Sequence, residues 1–156
     1  MGGFSDGVET RGNQLLAQLH GQQSYFLSVP GAANGLSVVS FKAVERLGDP
    51  YEITIQLTHP VELDRADYLG KPATFIIDPG DESTPRTFAG FISCFSKTAQ
   101  TQDFHAYEMV VEPLVARLRL TRSTRIYQQK TAPQIIEAIL RRHELVGHQF
   151  SFRLRR

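Results

Sequence analysis

The string His143-Glu144-Leu145-Val146-Gly147-His148 holds the residue types of a zinc hydrolase. Two imidazoles can ligate a metal, and a carboxylate can serve as base toward its water. The working pattern sets its two histidines four apart on one face of a helix. Here they are five apart, Gly147 between them suits a helix stop, and no convincing third ligand lies nearby. The simpler expectation is a helix C-terminus, with His143 at the negative end of the dipole. Cys94, the single cysteine, would need a base and an electropositive, exposed setting to act as a nucleophile. It lies in an apolar run and reads as a buried structural thiol. Asp64, Asp67, Asp78, Asp81 and Glu82 have loop positions and irregular spacing, which suits solvated surface rather than paired acid–base work. There is no phosphate loop, dinucleotide fingerprint or Gly-x-Ser-x-Gly elbow. Phe75, Phe88, Phe91, Phe95, Phe104 and Tyr107 sit at strand spacing, as core residues do, rather than as a base-stacking platform. The sequence thus assigns no catalytic residue, no cofactor-binding residue and no metal ligand, and points away from an enzyme.

The elements that would position these residues are mostly strands. The exception is the clearest helix start in the chain. Thr131 and Gln134 have the spacing of a capping box, and Pro133 sits in the first turn, where its missing N–H costs nothing. Ile135, Ile136, Ile139 and Leu140 share one stripe, and Arg141, Arg142 and His143 fill the last turn. A helix near 131–146, stopped by Gly147, is expected to cover one face of a β structure. Before it, Tyr51, Ile53, Ile55 and Leu57 alternate with polar partners, one buried face and one wet face. With 36–47 they form an antiparallel hairpin across Gly48-Asp49-Pro50. In 36–47, Val39, Phe41 and Ala43 share a face and the phase slips at Val44, as at a bulge. Further strands are expected at 24–29, 73–78, 86–97 and 104–112. On 86–97, Phe88, Gly90, Ile92 and Cys94 face one way and Phe91 and Phe95 the other. Both faces are apolar, so the strand is central, and Gly90 permits a bend or close backbone approach. Leu118 to Leu120 reads as a short extended piece, and 149–154 as the opening of another strand.

The bulk properties fit one domain or part of a larger one. The chain has 156 residues, 41% hydrophobic and 21% charged, with no apolar run near the roughly 20 residues a membrane helix needs. Residues 1–23 are expected to be loose or briefly helical around Leu15, Leu16 and Leu19, and 24–156 to form the folded domain. Charge is lopsided: residues 1–116 carry 7 Lys/Arg against 14 Asp/Glu, and 117–156 carry 10 against 2. A solvated basic edge, a charged subunit contact and a nucleic-acid surface all fit such a run. No nucleic-acid motif accompanies it, so no nucleic-acid partner is expected.

An ordered series of short motifs resembles the N-terminal region of VgrG proteins, the spike proteins of bacterial type VI secretion. It comprises Phe41-x-Ala43-x-Glu45-x-Leu47-Gly-Asp-Pro-Tyr51, Leu69-Gly70-Lys71, Arg86-x-Phe88-x-Gly90-Phe-Ile92, Tyr107-x5-Pro113-Leu114, and Arg125-Ile-Tyr-Gln-x-Lys-Thr-x-x-Gln-Ile-Ile136. Two departures stand out: the family's usual tryptophan after the Pro-Leu pair is missing, and Tyr127 replaces a common Phe. The resemblance implies a mainly β (α+β) fold, an antiparallel barrel-like tail-tube or phage-hub domain with one covering helix, at the front of a longer chain. It implies a non-enzymatic hub that trimerises in the full-length protein and seats the spike on the Hcp tube hexamer. Baseplate proteins and effectors would be further partners. The location would be the bacterial cytoplasm before firing, and delivery through the type VI apparatus afterwards. The charge imbalance would suit head-to-tail packing in such a ring, through Arg117, Arg119 and Arg122. The alternatives are a contractile phage baseplate hub and, from another class, a zinc-dependent peptidase fragment built on His143, Glu144 and His148.

Overall fold

The computed structural model describes residues 24–32, 35–80, 84–147 and 149–153. The possible turn around Leu15 and Leu19, the loop carboxylates Asp81 and Glu82, His148 and residues 154–156 lie outside them. Six strands appear in chain order: β1 (Tyr25–Ser28), β2 (Ser37–Val44), β3 (Glu52–His59), β4 (Pro72–Ile77), β5 (Arg86–Gln100) and β6 (His105–Glu112). Short 3-10 helices cover Arg65–Asp67 and Leu114–Leu120, and α1 spans Ala132–Arg142. All strands join one antiparallel sheet in the order β1-β4-β5-β6-β3-β2.

The alternation in β3 does what period 2 requires. Ile53, Ile55 and Leu57 point inward and face Val111, Met109 and Tyr107 across the β3–β6 ladder. All six are at most 1% exposed and are joined inside by Phe75 and Ile92. Burial of each such side chain contributes about 1.5–3 kcal/mol. The sheet curls until its two edge strands meet. Tyr25 on β1 packs edge-on against Phe41 on β2 at 4.9 Å, and Phe41 packs against Phe75 at 4.9 Å. The result is a nearly closed barrel whose seam is sealed by rings rather than by a hydrogen-bonded ladder.

β5 is the central strand, and its 15 residues serve two partners. Its first part, to Phe91, pairs with β4, and from Phe91 onward it pairs with β6. Gly90 stands at the handover: a Cβ there would collide with the Glu112 carbonyl, 2.7 Å from its carbon. Glycine is needed for that approach.

Several expectations change. The β2 bulge falls between Val38 and Ser40, not at Val44. Val39 is pushed outward to 65% exposure, while Val38 and Phe41 face the interior. β5 bulges between Ile92 and Cys94, which exchanges the faces beyond it. Phe95 thereby packs on the core with Phe88 and Ile92, and Cys94 turns to the other side. Leu118 and Leu120 lie in a 3-10 helix, not an extended piece. Pro113 ends the β6 ladder, and the chain winds back over β5. Residues 150–153 make no strand, because no described strand edge pairs with them.

α1 begins as expected, with the Thr131 N–H donating to Gln134 Oε1 at 2.9 Å. It ends earlier. Glu144, not Gly147, takes the left-handed conformation, with φ 64°. The Leu145 N–H donates to the Leu140 carbonyl and the Glu144 N–H to that of Arg141, both at 3.1 Å. This is a Schellman stop, and its apolar pair Leu140 and Leu145 is buried. Ile135 and Ile139 are half-buried, whereas Ile136 is 47% exposed. Among the described residues, no α1 side chain joins the cluster inside the barrel.

Candidate functional site

The zinc-like string does not assemble. His143 is the C-cap of α1, and Glu144 lies past it in the left-handed turn, so the two do not share a helical face. Among the described residues, no three His, Cys, Asp or Glu side chains converge as a metal site. Cys94 is half-buried rather than buried, and its Sγ lies 3.7 Å from Ser96 Oγ, with no base in contact. Asp64 and Asp78 are used locally. Asp64 accepts from the Ala66 N–H and Asp78 from the Gly80 N–H, both at 2.9 Å, shaping turns as aspartates do. Asp67 is exposed in its 3-10 turn.

One shallow hollow of about 480 Å³ opens where the β3–β4 link crosses β5 and β6, lined by Glu62, Leu63, Arg65, Phe95, Lys97 and Tyr107. Three of its polar side chains, Glu62, Lys97 and Tyr107, hold the link. Lys97 Nζ donates to Glu62 Oε1 at 2.7 Å, and the Leu63 N–H donates to the Tyr107 hydroxyl at 2.8 Å. The Lys97 contact holds the Glu62 carboxyl below its usual range, first through the hydrogen bond and then through charge. At the same end of the barrel His59 and His105 are paired across β3 and β6. His59 is buried, and its Nδ1 lies 2.7 Å from the Val61 carbonyl oxygen.

The other expected surface is the basic C-terminal part. Its first arginines are spent inside the chain. Arg117 donates to the Gly70 carbonyl at 2.8 Å and stacks on the Phe91 ring at 4.4 Å. Arg119 reaches Asp49 and Glu112, each at 3.6 Å, so part of the imbalance is neutralised within one molecule. These contacts strap the Leu114–Leu120 helix onto the outside of the barrel. Sequence patterning did not show them, since all but the Arg119–Glu112 pair join residues far apart in the chain. The β2–β3 turn is held similarly: Glu45 pairs with Arg86, and the Tyr51 hydroxyl donates to the Ala89 carbonyl at 2.6 Å. Large apolar side chains also remain outward: Leu47 at the hairpin tip, Leu120 at the end of the strap and Ile126 beyond it, each more than 80% exposed. No helix among the described residues is long and apolar enough to cross a membrane.

A curled sheet with an apolar, basic outer margin has the features of an assembly part. Comparison with known proteins agrees. The type VI secretion system spike proteins VgrG2a and VgrG2b of Pseudomonas aeruginosa are each 30% identical to this chain over 113 residues, 72% of its length. The chain spans only 13% and 11% of those relatives. The E. coli c3393 protein is described as a component of the type VI secretion system with structural similarity to T4 bacteriophage tail proteins gp27 and gp5. It superposes with a TM-score of 0.73 at 32% identity, over 78% of this chain and 33% of that one. Residues 44–156, from the end of β2 onward, match the family described as phage tail baseplate hub (GPD). The chain therefore belongs to the phage tail baseplate hub family, and it is a hub-like region of the kind found in VgrG spike proteins.

Proposed function

We propose that this chain is the hub segment of a type VI secretion spike, where three copies form a ring that seats the spike on the Hcp tube and the baseplate. The carrying observation is the superposition on the c3393 protein, which extends over most of this chain at a sequence identity too high for fold likeness alone. The barrel supports the reading: its interior is filled, and its chemistry is spent on turns and straps rather than gathered in a cleft. Its work is mechanical and not enzymatic. It resides in the bacterial cytoplasm until firing and then leaves with the spike. In a bacterium carrying it, deleting the segment from its gene should abolish release of the tube protein into the medium. Release at the parental level overturns the proposal.

The family description favours a second reading, a hub in a contractile phage baseplate. In that case the chain purifies with phage tails and tube-protein release is indifferent to it. A zinc peptidase is tested by metal analysis. The purified chain should hold well under one zinc per molecule, with no change on His143→Ala.

A further inference from the structure

Between the strap and α1 the chain runs through residues 121–130, Thr-Arg-Ser-Thr-Arg-Ile-Tyr-Gln-Gln-Lys. All of these except Tyr127 are exposed. From Arg122 to Lys130 no backbone N–H or C=O makes a hydrogen bond to any described residue, and Arg122, Arg125 and Lys130 have no ion-pair partner among them. The stretch is anchored at both ends, by the Arg119 contacts before it and by the capped start of α1 after it. It is thus a tethered open arm with three cations, no anion, and the outward side chain of Ile126 at 88% exposure. The barrel, residues 24–116, carries 6 Lys/Arg against 12 Asp/Glu. Among the described residues, the arm's own barrel offers these cations no ion-pair partner.

We infer that this arm is a docking strip for a second copy of this chain, with Arg122, Arg125 and Lys130 laid on the acidic barrel of the neighbour. Arm and barrel are different surfaces of one molecule, so the contact is head-to-tail and can propagate around a ring. Its charges are opposite, so attraction steers the encounter and fixes the sense of packing. The open backbone groups can add hydrogen bonds to the neighbour without breaking any in the donor. The inference rests on the ring reading above, but commits to one contact within it.

The test uses this chain alone. Analytical ultracentrifugation should show self-association at about 0.01 M salt, where the Debye length is about 30 Å, and dissociation at about 1 M, where it is about 3 Å. The triple variant Arg122→Glu, Arg125→Glu, Lys130→Glu should sediment as a monomer at both. In a mixture of isotopically light and heavy chains, carbodiimide coupling should join the Lys130 amine to a barrel carboxylate of the other isotope. If the triple variant does not fold, the coupling on the unaltered chain decides alone. Association that survives the triple reversal, or Lys130 coupling only within its own chain, overturns the arm contact and leaves the spike reading standing. A parent chain that stays monomeric at low salt overturns the contact as well. Loss of the spike reading would be seen separately, as tube-protein release that ignores the segment.

Discussion

At the residue scale two positions carry sharp consequences. Tyr51 donates to Ala89 from a half-buried site beside Glu45. Burial first, and the Glu45 charge second, push its hydroxyl above the usual 10.0. An acid with a raised folded pKa contributes stability that is whole below the unfolded value and lost as pH rises through the folded one. Tyr51→Phe should therefore cost about 1 kcal/mol near neutrality, the worth of a hydrogen bond, and the gap should narrow above about pH 10. Urea unfolding of both proteins across that range measures it. Gly90 is the second. The group a Cβ would strike is backbone carbonyl on the partner strand, which cannot swing aside. Gly90→Ala should cost about 3 kcal/mol, at the upper end of overpacking penalties. Gly48→Ala, in a turn with φ +83° and open space around it, should cost only about 1 kcal/mol. Equal losses at the two glycines in denaturant titrations would contradict the close approach.

At the element scale the informative end is that of α1. Gly147 is the residue that looks like a stop, yet the stop is Glu144, held left-handed because Leu145 must turn back to bury against the helix. A side chain in that conformation costs about 1–2 kcal/mol, so Glu144→Gly should strengthen α1 by about 1 kcal/mol. Slower amide exchange through Ile139 and Leu140 would report it, and unchanged exchange would count against the Schellman assignment. The same variant removes the only carboxylate of the zinc-like string, so a gain in stability there separates structure from chemistry. This position shows what local pattern can carry. β3 was legible because Ile53, Ile55 and Leu57 obey one period over a whole strand. The capping box was legible because all its partners lie within four residues. The bulges at Val39 and Ser93 were not, because a bulge is a mismatch between two strands and neither sequence alone contains it. Leu118 and Leu120 read equally as extended or 3-10 over so short a stretch. The contacts of Arg117 with Phe91 and Gly70 and of Arg119 with Asp49, remote in the chain, decide between them.

At the scale of the whole molecule, the question is what keeps a six-stranded sheet closed when its edge strands share no ladder. β1 is four residues long, and with so short an edge little backbone could be paired even if β2 were in register. The seam instead depends on Phe41, which touches Tyr25 across the gap and Phe75 beneath it. Its placement follows from the Val39 bulge, which lets Val38 and Phe41, three residues apart, both face the interior; in a regular strand they would lie on opposite faces. Phe41→Ala should cost about 3 kcal/mol, as for other aromatic truncations at packed sites. It should also raise amide exchange along β1 and β2 while β5 and β6, paired on both sides, stay protected. Phe41→Leu should recover much of the stability but not the edge-on ring contact with Tyr25. If exchange rose uniformly over all six strands, the seam would be part of the global unfolding unit rather than its weakest line. If it rose at the edges alone, the barrel would be a sheet that rings hold shut along one line, with Phe41 as the residue that closes it.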